Sequence, residues 1–283
     1  MKSFIKKVIT YAIKKNSIWE SLNTSIIRLA EYLRRERIKI EVSNQEPIQK
    51  IHENLISRWS DLTVKHGPFK GMIYPEKKAV GSLLVPKLLG SYERELYPVL
   101  EKICSNEYSE IVDIGCAEGY YAVGLAMRIK TARVFAYDIN DDAIYLCKKM
   151  ARMNNVDGRL VTGTLCAAST LLSIPFRKKA LVLSDCEGYE KELFTEELVP
   201  FLAHHDLLIE IHDFIDIEIS SIIRQRFQNT HVISAIKSID DITKAHTYCY
   251  EELSGYNLAT RKRLLAENRP SIMEWFYMTP RTD

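Results

Sequence analysis

The second half of the chain alternates short apolar runs with helical stretches, and this alternation is what most restricts the folds open to it. Apolar runs such as "ALVLSD" and "DLLIEIH" are almost continuous, and stretches with a helical period separate them. Strands separated in this way indicate βαβ units in a parallel sheet, and continuous apolar strands indicate that helices cover both faces. Strands are predicted at 111–115, 133–139, 159–165, 179–186, 205–212, 230–238 and 271–278, the last alternating like an antiparallel edge. Helices are predicted at 91–103, where Ser91 opens the helix, and at 119–130, 141–153, 189–202, 217–228 and 258–268.

Composition and charge exclude several classes of protein. Hydrophobic residues make up 46% of the 283 residues and charged residues 27%, as in ordinary globular domains. No apolar run approaches the roughly 20 residues that span a bilayer. The net charge of +2 gives no overall attraction to nucleic acid. The six cysteines form no C-x-x-C pair, so we expect reduced thiols in a cytoplasmic protein.

The N-terminal region differs in charge from the rest of the chain. Residues 1–40 hold ten lysines and arginines against three acids, which leaves the remainder at −5. The stretch "MKSFIKKVITYAIKKN" predicts an amphipathic helix, and "SIIRLAEYLRRERIKI" predicts a second helix. The first would pack on its own domain or on a dimer partner, would contact an anionic membrane surface, or would form a flexible tail. We expect residues 1–90 to form a helical extension and capping segment and residues 91–283 to form the main domain.

A glycine turn follows the first predicted strand in "IVDIGCAEGYYAVGLA" (111–126). Ligands of open parallel sheets bind at such strand ends, where glycine lets the backbone approach them and a helix offers free N–H groups. A dinucleotide would require G-x-G-x-x-G, whereas this turn reads G-x-x-x-G with Glu118 inside it, and a carboxylate would repel pyrophosphate. Asp138 ends the second strand, where an acid can accept hydrogen bonds from two ribose hydroxyls or can cap the next helix. The pattern favours a phosphate-free nucleoside that carries positive charge.

Three motifs together resemble a known family. The stretch from Asp113 to Gly119 resembles motif I of the class I S-adenosylmethionine-dependent methyltransferases, with Ala117 in place of the middle glycine. "DCEGYE" (185–190) and "LLIEIHD" (207–213) resemble the D-x-E-G-x-E and E-x-H stretches of FkbM-type methyltransferases. The resemblance implies an α/β fold: a Rossmann-like, doubly wound, mostly parallel seven-stranded sheet with an antiparallel last strand and an N-terminal helical extension.

The resemblance also implies where S-adenosylmethionine would bind. The glycine turn would hold the methionine half, Asp138 the ribose, and Ile139 and Thr164 the adenine. Leu165 and Cys166 fit the adenine pocket or plain core. The implied cofactor residues are Asp113, Gly115, Cys116, Ala117, Glu118, Gly119, Asp138, Ile139, Thr164, Leu165, Cys166 and Asp185.

Methyl transfer from a sulfonium is an in-line displacement, so positioning and a proton acceptor are what the protein must supply. His212 titrates near neutrality and is the predicted general base, with Asp185 and Glu187 beside it. A structural histidine remains the alternative. A magnesium site at Asp185, Glu187 and Asp213 is a further hypothesis, not the favoured one, because oxygen ligands at adjacent strand ends suit Mg²⁺.

The resemblance implies methylation of a hydroxyl on a sugar, a glycan or a polyketide-type natural product. A non-catalytic S-adenosylmethionine-binding or scaffold protein and an RNA methyltransferase are the alternatives, and the acidic balance of residues 41–283 disfavours RNA. Residues 240–270 are expected to form a lid over the acceptor. Tyr74, Tyr248, Tyr250 and Tyr256 would stack on a sugar ring or pack within the lid. Oligomeric state is left open.

Overall fold

A computed structural model of the chain describes residues 29, 33, 47–59 and 61–281. The helices predicted within residues 1–40 lie outside this part, apart from Leu29 and Leu33, which are helical and exposed. The described residues from His52 onward form one unit. No helix in the described ranges is both long and apolar enough to cross a membrane.

Seven strands form one sheet in the order β3-β2-β1-β4-β5-β7-β6. All neighbouring pairs are parallel except those that β7 makes with β5 and β6. The predicted mostly parallel sheet with an antiparallel last strand is therefore confirmed. The strands are β1 (Glu110–Ile114), β2 (Arg133–Tyr137), β3 (Leu160–Gly163), β4 (Ala180–Ser184), β5 (Asp206–Ile211), β6 (His231–Lys237) and β7 (Glu274–Pro280).

The prediction that the last strand lies at an edge was wrong. Strand β7 lies between β5 and β6 and pairs with both along its length. Its residues from Trp275 to Met278 are buried, as expected for a strand with covered faces. The edge on this side is β6, where exposed and buried residues mix.

Helices cover both faces of the sheet. The helices are α1 (Ile48–Ser57), α2 (Leu84–Leu89), α3 (Tyr97–Ser105), α4 (Tyr120–Arg128), α5 (Asp141–Met153), α6 (Ala168–Ser173), α7 (Glu190–Leu193), α8 (Leu198–Leu202), α9 (Ile219–Phe227), α10 (Asp241–Thr247) and α11 (Leu258–Leu265). Residues of α6 to α9 pack in one apolar cluster with Val112, Val182 and Leu207. Because side chains alternate along a strand, Ile111 and Asp113 point to the opposite face. Helix α4 packs against β1 and β2.

Two helices differ from the prediction: the one predicted at 189–202 is interrupted, and the one predicted at 91–103 begins later. The helix predicted at 189–202 is split into α7 and α8, because Pro200 is tolerated in the first turn of a helix and not in its interior. Ser91 does not open a helix: its backbone N–H donates to Pro86 and completes the end of α2. Helix α3 begins only at Tyr97, with a proline in its first turn.

A strap formed by residues 62–90 crosses the glycine turn and is anchored on Glu118. The Glu118 side chain is fully buried and accepts hydrogen bonds from the Tyr74 hydroxyl at 3.0 Å and the Val80 backbone N–H at 2.9 Å. The ammonium of Lys87 donates to it at 2.7 Å, and that side chain is itself only 3% exposed. A buried ion pair is therefore one of the contacts that hold the strap on the turn.

We expect Lys87→Met to destabilise the protein by about 3–5 kcal/mol, because it leaves the Glu118 carboxylate buried without a counter-charge. Chemical denaturation measures this loss, and the double variant Lys87→Met/Glu118→Gln should recover part of it. Lys78→Met is the matched control, since the Lys78–Asp142 pair is exposed and such pairs contribute about 1 kcal/mol or less. Equal losses in Lys78→Met and Lys87→Met would contradict this account.

Candidate active site

A cavity of about 530 Å³ opens at the carboxyl ends of β1, β2, β4 and β5. The order of the sheet reverses between β1 and β4, which is where ligands of open α/β sheets bind. The volume suits a ligand of cofactor size. Among the residues predicted to bind the cofactor or to catalyse, those that line it are Gly115, Ala117, Asp138, Ile139, Thr164, Leu165, Cys166, Asp185, Glu187 and His212.

The glycine turn takes left-handed backbone angles at alternate positions. Gly115 has φ 79°, Ala117 φ 47° and Gly119 φ 97°. A Cβ on Gly115 would lie 1.7 Å from the carbonyl oxygen of Asp185, so only glycine fits between β1 and β4. Ala117 occupies the position of the missing middle glycine at a cost of about 1–2 kcal/mol. The turn has the shape that the motif predicts, despite the alanine.

Asp138 is held in place by the turn that it faces. Its carboxylate accepts hydrogen bonds from the backbone N–H of Ala117 at 2.8 Å and of Asn140 at 2.8 Å. Helix α5 is capped by the side chain of Asn140, so Asp138 is not the cap. Each carboxylate oxygen keeps a free lone pair, and both can accept further hydrogen bonds from a ligand.

Apolar side chains beside Asp138 line the next part of the cavity. Ile139 is 79% exposed and Leu165 is 57% exposed, and both line the cavity, so a ligand there would cover them. Thr164 and the buried Cys166 lie at the end of β3 and complete this wall. A flat apolar group such as a purine base suits this position.

Other predicted cofactor residues lie behind the turn. Cys116 and Glu118 are buried, and neither they nor Gly119 or Asp113 line the cavity. The charge of Glu118 is matched by Lys87, so it does not face a ligand as the sequence argument assumed. The acids that do line the cavity are Asp138, Asp185, Glu187, Glu210 and Glu267. These carboxylates, rather than Glu118, disfavour the binding of a pyrophosphate.

Asp113 is almost fully buried in β1, and both its carboxylate oxygens lack a hydrogen-bond partner among the described residues. Burial raises the pKa of this carboxyl to about 7, and the nearby charge of Asp138 adds to the rise. A backbone N–H of Ala122 and the charge of Lys87 oppose it.

His212 lies at the centre of a cluster of carboxylates where β4 and β5 end. Its Nδ1 lies 2.6 Å from Oε1 of Glu190, and both side chains are buried. Its Nε2 lies 3.5 Å from Oδ1 of Asp185 and 3.5 Å from Oε2 of Glu187. Asp213 does not join this cluster, because it accepts a hydrogen bond from the backbone N–H of Ser220 at the start of α9.

The carboxylates alter the pKa values in this cluster. Burial alone would lower the pKa of His212, but the hydrogen bond from its ring to Glu190 and the charges of Glu190, Glu210 and Glu187 outweigh burial and raise it. Burial raises the pKa of Asp185 to about 7, and the charge of Glu93 adds to this. Shifts of this kind are typical of functional sites.

Arg269 is a lining residue that sequence reasoning missed. Its guanidinium pairs with Glu93, Glu210 and Glu267, and it joins the segment before β7 to the end of β5. Only Glu267 lies in the same stretch, "ENRPS", and the sequence does not signal this role because Glu93 and Glu210 come from distant parts of the chain. Lys87 was also missed, although a single charge within "LVPKLL" signals a buried partner.

The 240–270 segment contributes only its end to the cavity, through Glu267, Asn268, Arg269 and Pro270. The four tyrosines considered for sugar stacking lie elsewhere. Tyr74 bonds to Glu118, Tyr248 and Tyr250 pack against each other, and Tyr256 lies against Arg58. The aromatic side chains that line the cavity are Tyr92, Tyr137, Tyr189 and Phe214.

Comparison with known proteins identifies methyltransferases. Residues 96–173 match the family model of the methyltransferase small domain. The release factor glutamine methyltransferase of Deinococcus radiodurans is 33% identical over 81 residues, which are 29% of this chain and 28% of that protein. The enzyme of the same name from Flavobacterium psychrophilum is 41% identical over 56 residues, 20% of each. The chain thus spans less than a third of the length of either relative.

Solved structures with a similar chain path include two other methyltransferases. The C-terminal domain of precorrin-6Y C5,15-methyltransferase from Rhodobacter capsulatus gives a TM-score of 0.43 at 13% identity, over 65% of this chain and 87% of that one. Coclaurine N-methyltransferase bound to N-methylheliamine and SAH gives a TM-score of 0.41 at 14% sequence identity. The alignment covers 90% of this chain and 94% of that one. The match of the family model, together with the motifs, supports a class I S-adenosylmethionine-dependent methyltransferase. The FkbM-type subfamily is not among these matches.

The buried Asp113 predicts a pH-dependent stability. Its folded pKa of about 7 lies above the roughly 3.9 of an unfolded aspartate, so its ionisation removes stability as the pH rises towards 7. Asp113→Asn removes this loss. The free energy of unfolding of Asp113→Asn minus that of the wild type should rise by about 2–3 kcal/mol between pH 5 and pH 8.

Urea denaturation at both pH values measures that difference, and the subtraction removes the contribution of the other titrating groups. Asp157→Asn, at an exposed position, is the control and should give no change. A difference between Asp113→Asn and wild type that does not vary with pH would show that Asp113 is ionised in the folded protein.

Proposed function

We propose that this chain is an S-adenosylmethionine-dependent methyltransferase that methylates a hydroxyl of a sugar, a glycan or a polyketide-type compound. The observation that carries the cofactor assignment is Asp138, which the turn itself orients toward a cavity with an exposed apolar wall. A carboxylate for ribose hydroxyls beside a wall for a purine is the arrangement that a nucleoside requires. The acids along the cavity suit a ligand with positive charge.

The residues present fit this cofactor. Asp138 would hold the ribose, Ile139 and Leu165 the adenine, and the backbone of Gly115 and Ala117 the methionine half. When bound, S-adenosylmethionine supplies an electrophilic methyl group, whose bond to sulfur breaks with its electron pair returning to sulfur. The chain's own part is to hold that group and to keep water from it.

The acceptor end lies at the His212 cluster. A hydroxyl oxygen becomes an effective nucleophile only when its proton has a place to go. Asp185, Glu187 and His212 all present lone pairs to the cavity, so the proton passes into this cluster as the new C–O bond forms. Tyr92, Tyr189 and Phe214 beside it offer faces for a ring-shaped acceptor.

The alternatives differ at the acceptor end. The family model ends at residue 173, before the cluster at 185–212 begins, so it supports the cofactor half of the site only. Amide methylation, which the names of the two relatives indicate for those proteins, and RNA methylation are therefore rivals at this end. A non-catalytic binding protein would share the turn but would have no need for an acid–histidine cluster beside it.

We expect the protein to bind S-adenosylhomocysteine and not NAD in isothermal titration calorimetry. Asp138→Ala should weaken S-adenosylhomocysteine binding at least tenfold, because two hydrogen bonds to a charged group are lost, each contributing about 1.5–3 kcal/mol. Asp142→Ala is the matched control: its side chain is exposed and lies outside the cavity. Binding of NAD alone, or equal affinity in Asp138→Ala and wild type, would refute the cofactor assignment.

A second experiment tests the acceptor class. Transfer of a labelled methyl group from S-adenosylmethionine should appear with polyhydroxylated acceptors such as oligosaccharides and macrolactones. It should fall about 10²-fold or more in His212→Ala, because this side chain lines the acceptor end of the cavity. His204→Ala, at an exposed position, is the control. Label found only in a glutamine-containing peptide or only in RNA would replace the hydroxyl acceptor with that class.

A further inference from the structure

Three side chains of the His212 cluster line the cavity and hold possible metal-ligand atoms close together. Donor atoms of Asp185, Glu187 and His212 all lie within 4.8 Å of one another. His212 is only 2% exposed, and its Nε2 is directed at the two carboxylates. One oxygen of Asp185 is buried and has no hydrogen-bond partner within the described residues.

The distances in this cluster are too long for hydrogen bonds. Nε2 lies 3.5 Å from an oxygen of Asp185 and 3.5 Å from an oxygen of Glu187, whereas N–H···O bonds are about 2.7–3.2 Å long. Two ligands that are each about 2.1 Å from a common metal ion are separated by about 3.0 Å at 90° and about 3.4 Å at the tetrahedral angle. The observed separations match a shared cation better than direct hydrogen bonds.

The other nitrogen of His212 is arranged as in metal sites. Nδ1 lies 2.6 Å from the buried carboxylate of Glu190, which fixes that nitrogen as the donor and leaves the lone pair on Nε2. Histidines that bind metals commonly donate their second N–H to a carboxylate in this way, which fixes the ring and raises its basicity.

The charge of the cluster also calls for a cation. Within the described residues, the carboxylates of Asp185 and Glu187 form ion pairs only with His212, and neither contacts a lysine or an arginine. The guanidinium of Arg269 belongs to the same cavity wall, but it is already shared by Glu93, Glu210 and Glu267. The Asp185 side chain is only 25% exposed, and a largely buried carboxylate without a counter-charge is costly.

We propose that Asp185, Glu187 and His212 bind a divalent cation, with Glu190 as the residue that positions His212. One imidazole and two carboxylates suit Mn²⁺ or Zn²⁺ better than Mg²⁺, which prefers oxygen alone. This donor set differs from the one expected from the sequence, because Asp213 accepts a hydrogen bond from the backbone N–H of Ser220 in α9 and His212 takes its place. Three protein ligands leave open positions for an oxygen of the acceptor.

The proposal deepens the proposed function, on which its catalytic meaning rests. A cation at this point would bind the acceptor hydroxyl and orient it toward the methyl group. The lone pair of Nε2 then holds the cation, so His212 is a ligand and not the general base. The hydroxyl proton passes to a carboxylate oxygen of the cluster that is not bound to the cation.

Titration of the full chain with MnCl₂, followed by the loss of the free-ion electron paramagnetic resonance signal, tests the site without any activity assay. We expect one Mn²⁺ to bind and ZnCl₂ to displace it. Asp185→Asn, Glu187→Gln and His212→Ala should each weaken binding at least tenfold, and Glu190→Gln about 10- to 100-fold. Glu192→Gln and His204→Ala, both exposed and close in sequence, are matched controls and should bind like the wild type.

Three results of this titration would reject the cation site. Glu187 is largely exposed, so Glu187→Gln keeps its fold, and wild-type affinity in that variant would overturn the site. No binding at millimolar Mn²⁺ and Zn²⁺, or binding of Mg²⁺ that His212→Ala leaves unchanged, would also overturn it. S-adenosylhomocysteine titrated into the same sample separates the two proposals: its binding without Mn²⁺ binding rejects the cation site alone, and the reverse rejects the proposed cofactor.

Discussion

The buried carboxylate of Glu118 is the interaction on which the rest of the site depends. A charge without solvent must be paired and hydrogen-bonded, and Lys87, Tyr74 and the backbone of Val80 meet that demand. The three groups come from the strap at 62–90, so the pairing closes the strap over the turn between β1 and α4. Lys87 itself lines the cavity, so the same side chain links the strap to the ligand site. The sequence suggests that Glu118 belongs to a ligand-binding loop. In the structure it instead joins the strap to the turn.

The sequence predicted the sheet well because its central strands are buried on both faces. Strands β1, β4 and β5 are buried throughout, and their apolar runs stand out against the helical segments. The position of β7 could not be read in this way, since alternation along a strand does not say which neighbours it pairs with. The helix predicted at 189–202 failed for a local reason that was visible, the proline at 200. The late start of α3 was less visible, because Ser91 completes the preceding helix instead of opening the next.

The cofactor half of the site was predictable because backbone geometry defines it. Gly115 is required by the closeness of the Asp185 carbonyl, and Asp138 is fixed by two backbone N–H groups within the same βα unit. Such constraints leave a short motif in the sequence. Glu118 lies within that motif, yet its partners are 31 to 44 residues away. The motif could therefore give its position but not the direction in which it points.

The acceptor half depends on contacts between distant segments, and this explains why the sequence defines it poorly. The register between β4 and β5 pairs Ser184 with Ile209, so the residues that follow each strand emerge side by side. This brings Asp185 and Glu187 to His212, whose ring Glu190 holds from α7. Arg269 then pairs with Glu210 and Glu93, and within the described residues the two carboxylates that face His212 form ion pairs with that histidine alone. The excess of negative charge at this point arises from how the ion pairs are distributed in the fold. The chain as a whole has nearly equal numbers of acids and bases, so its composition could not reveal this local excess of negative charge.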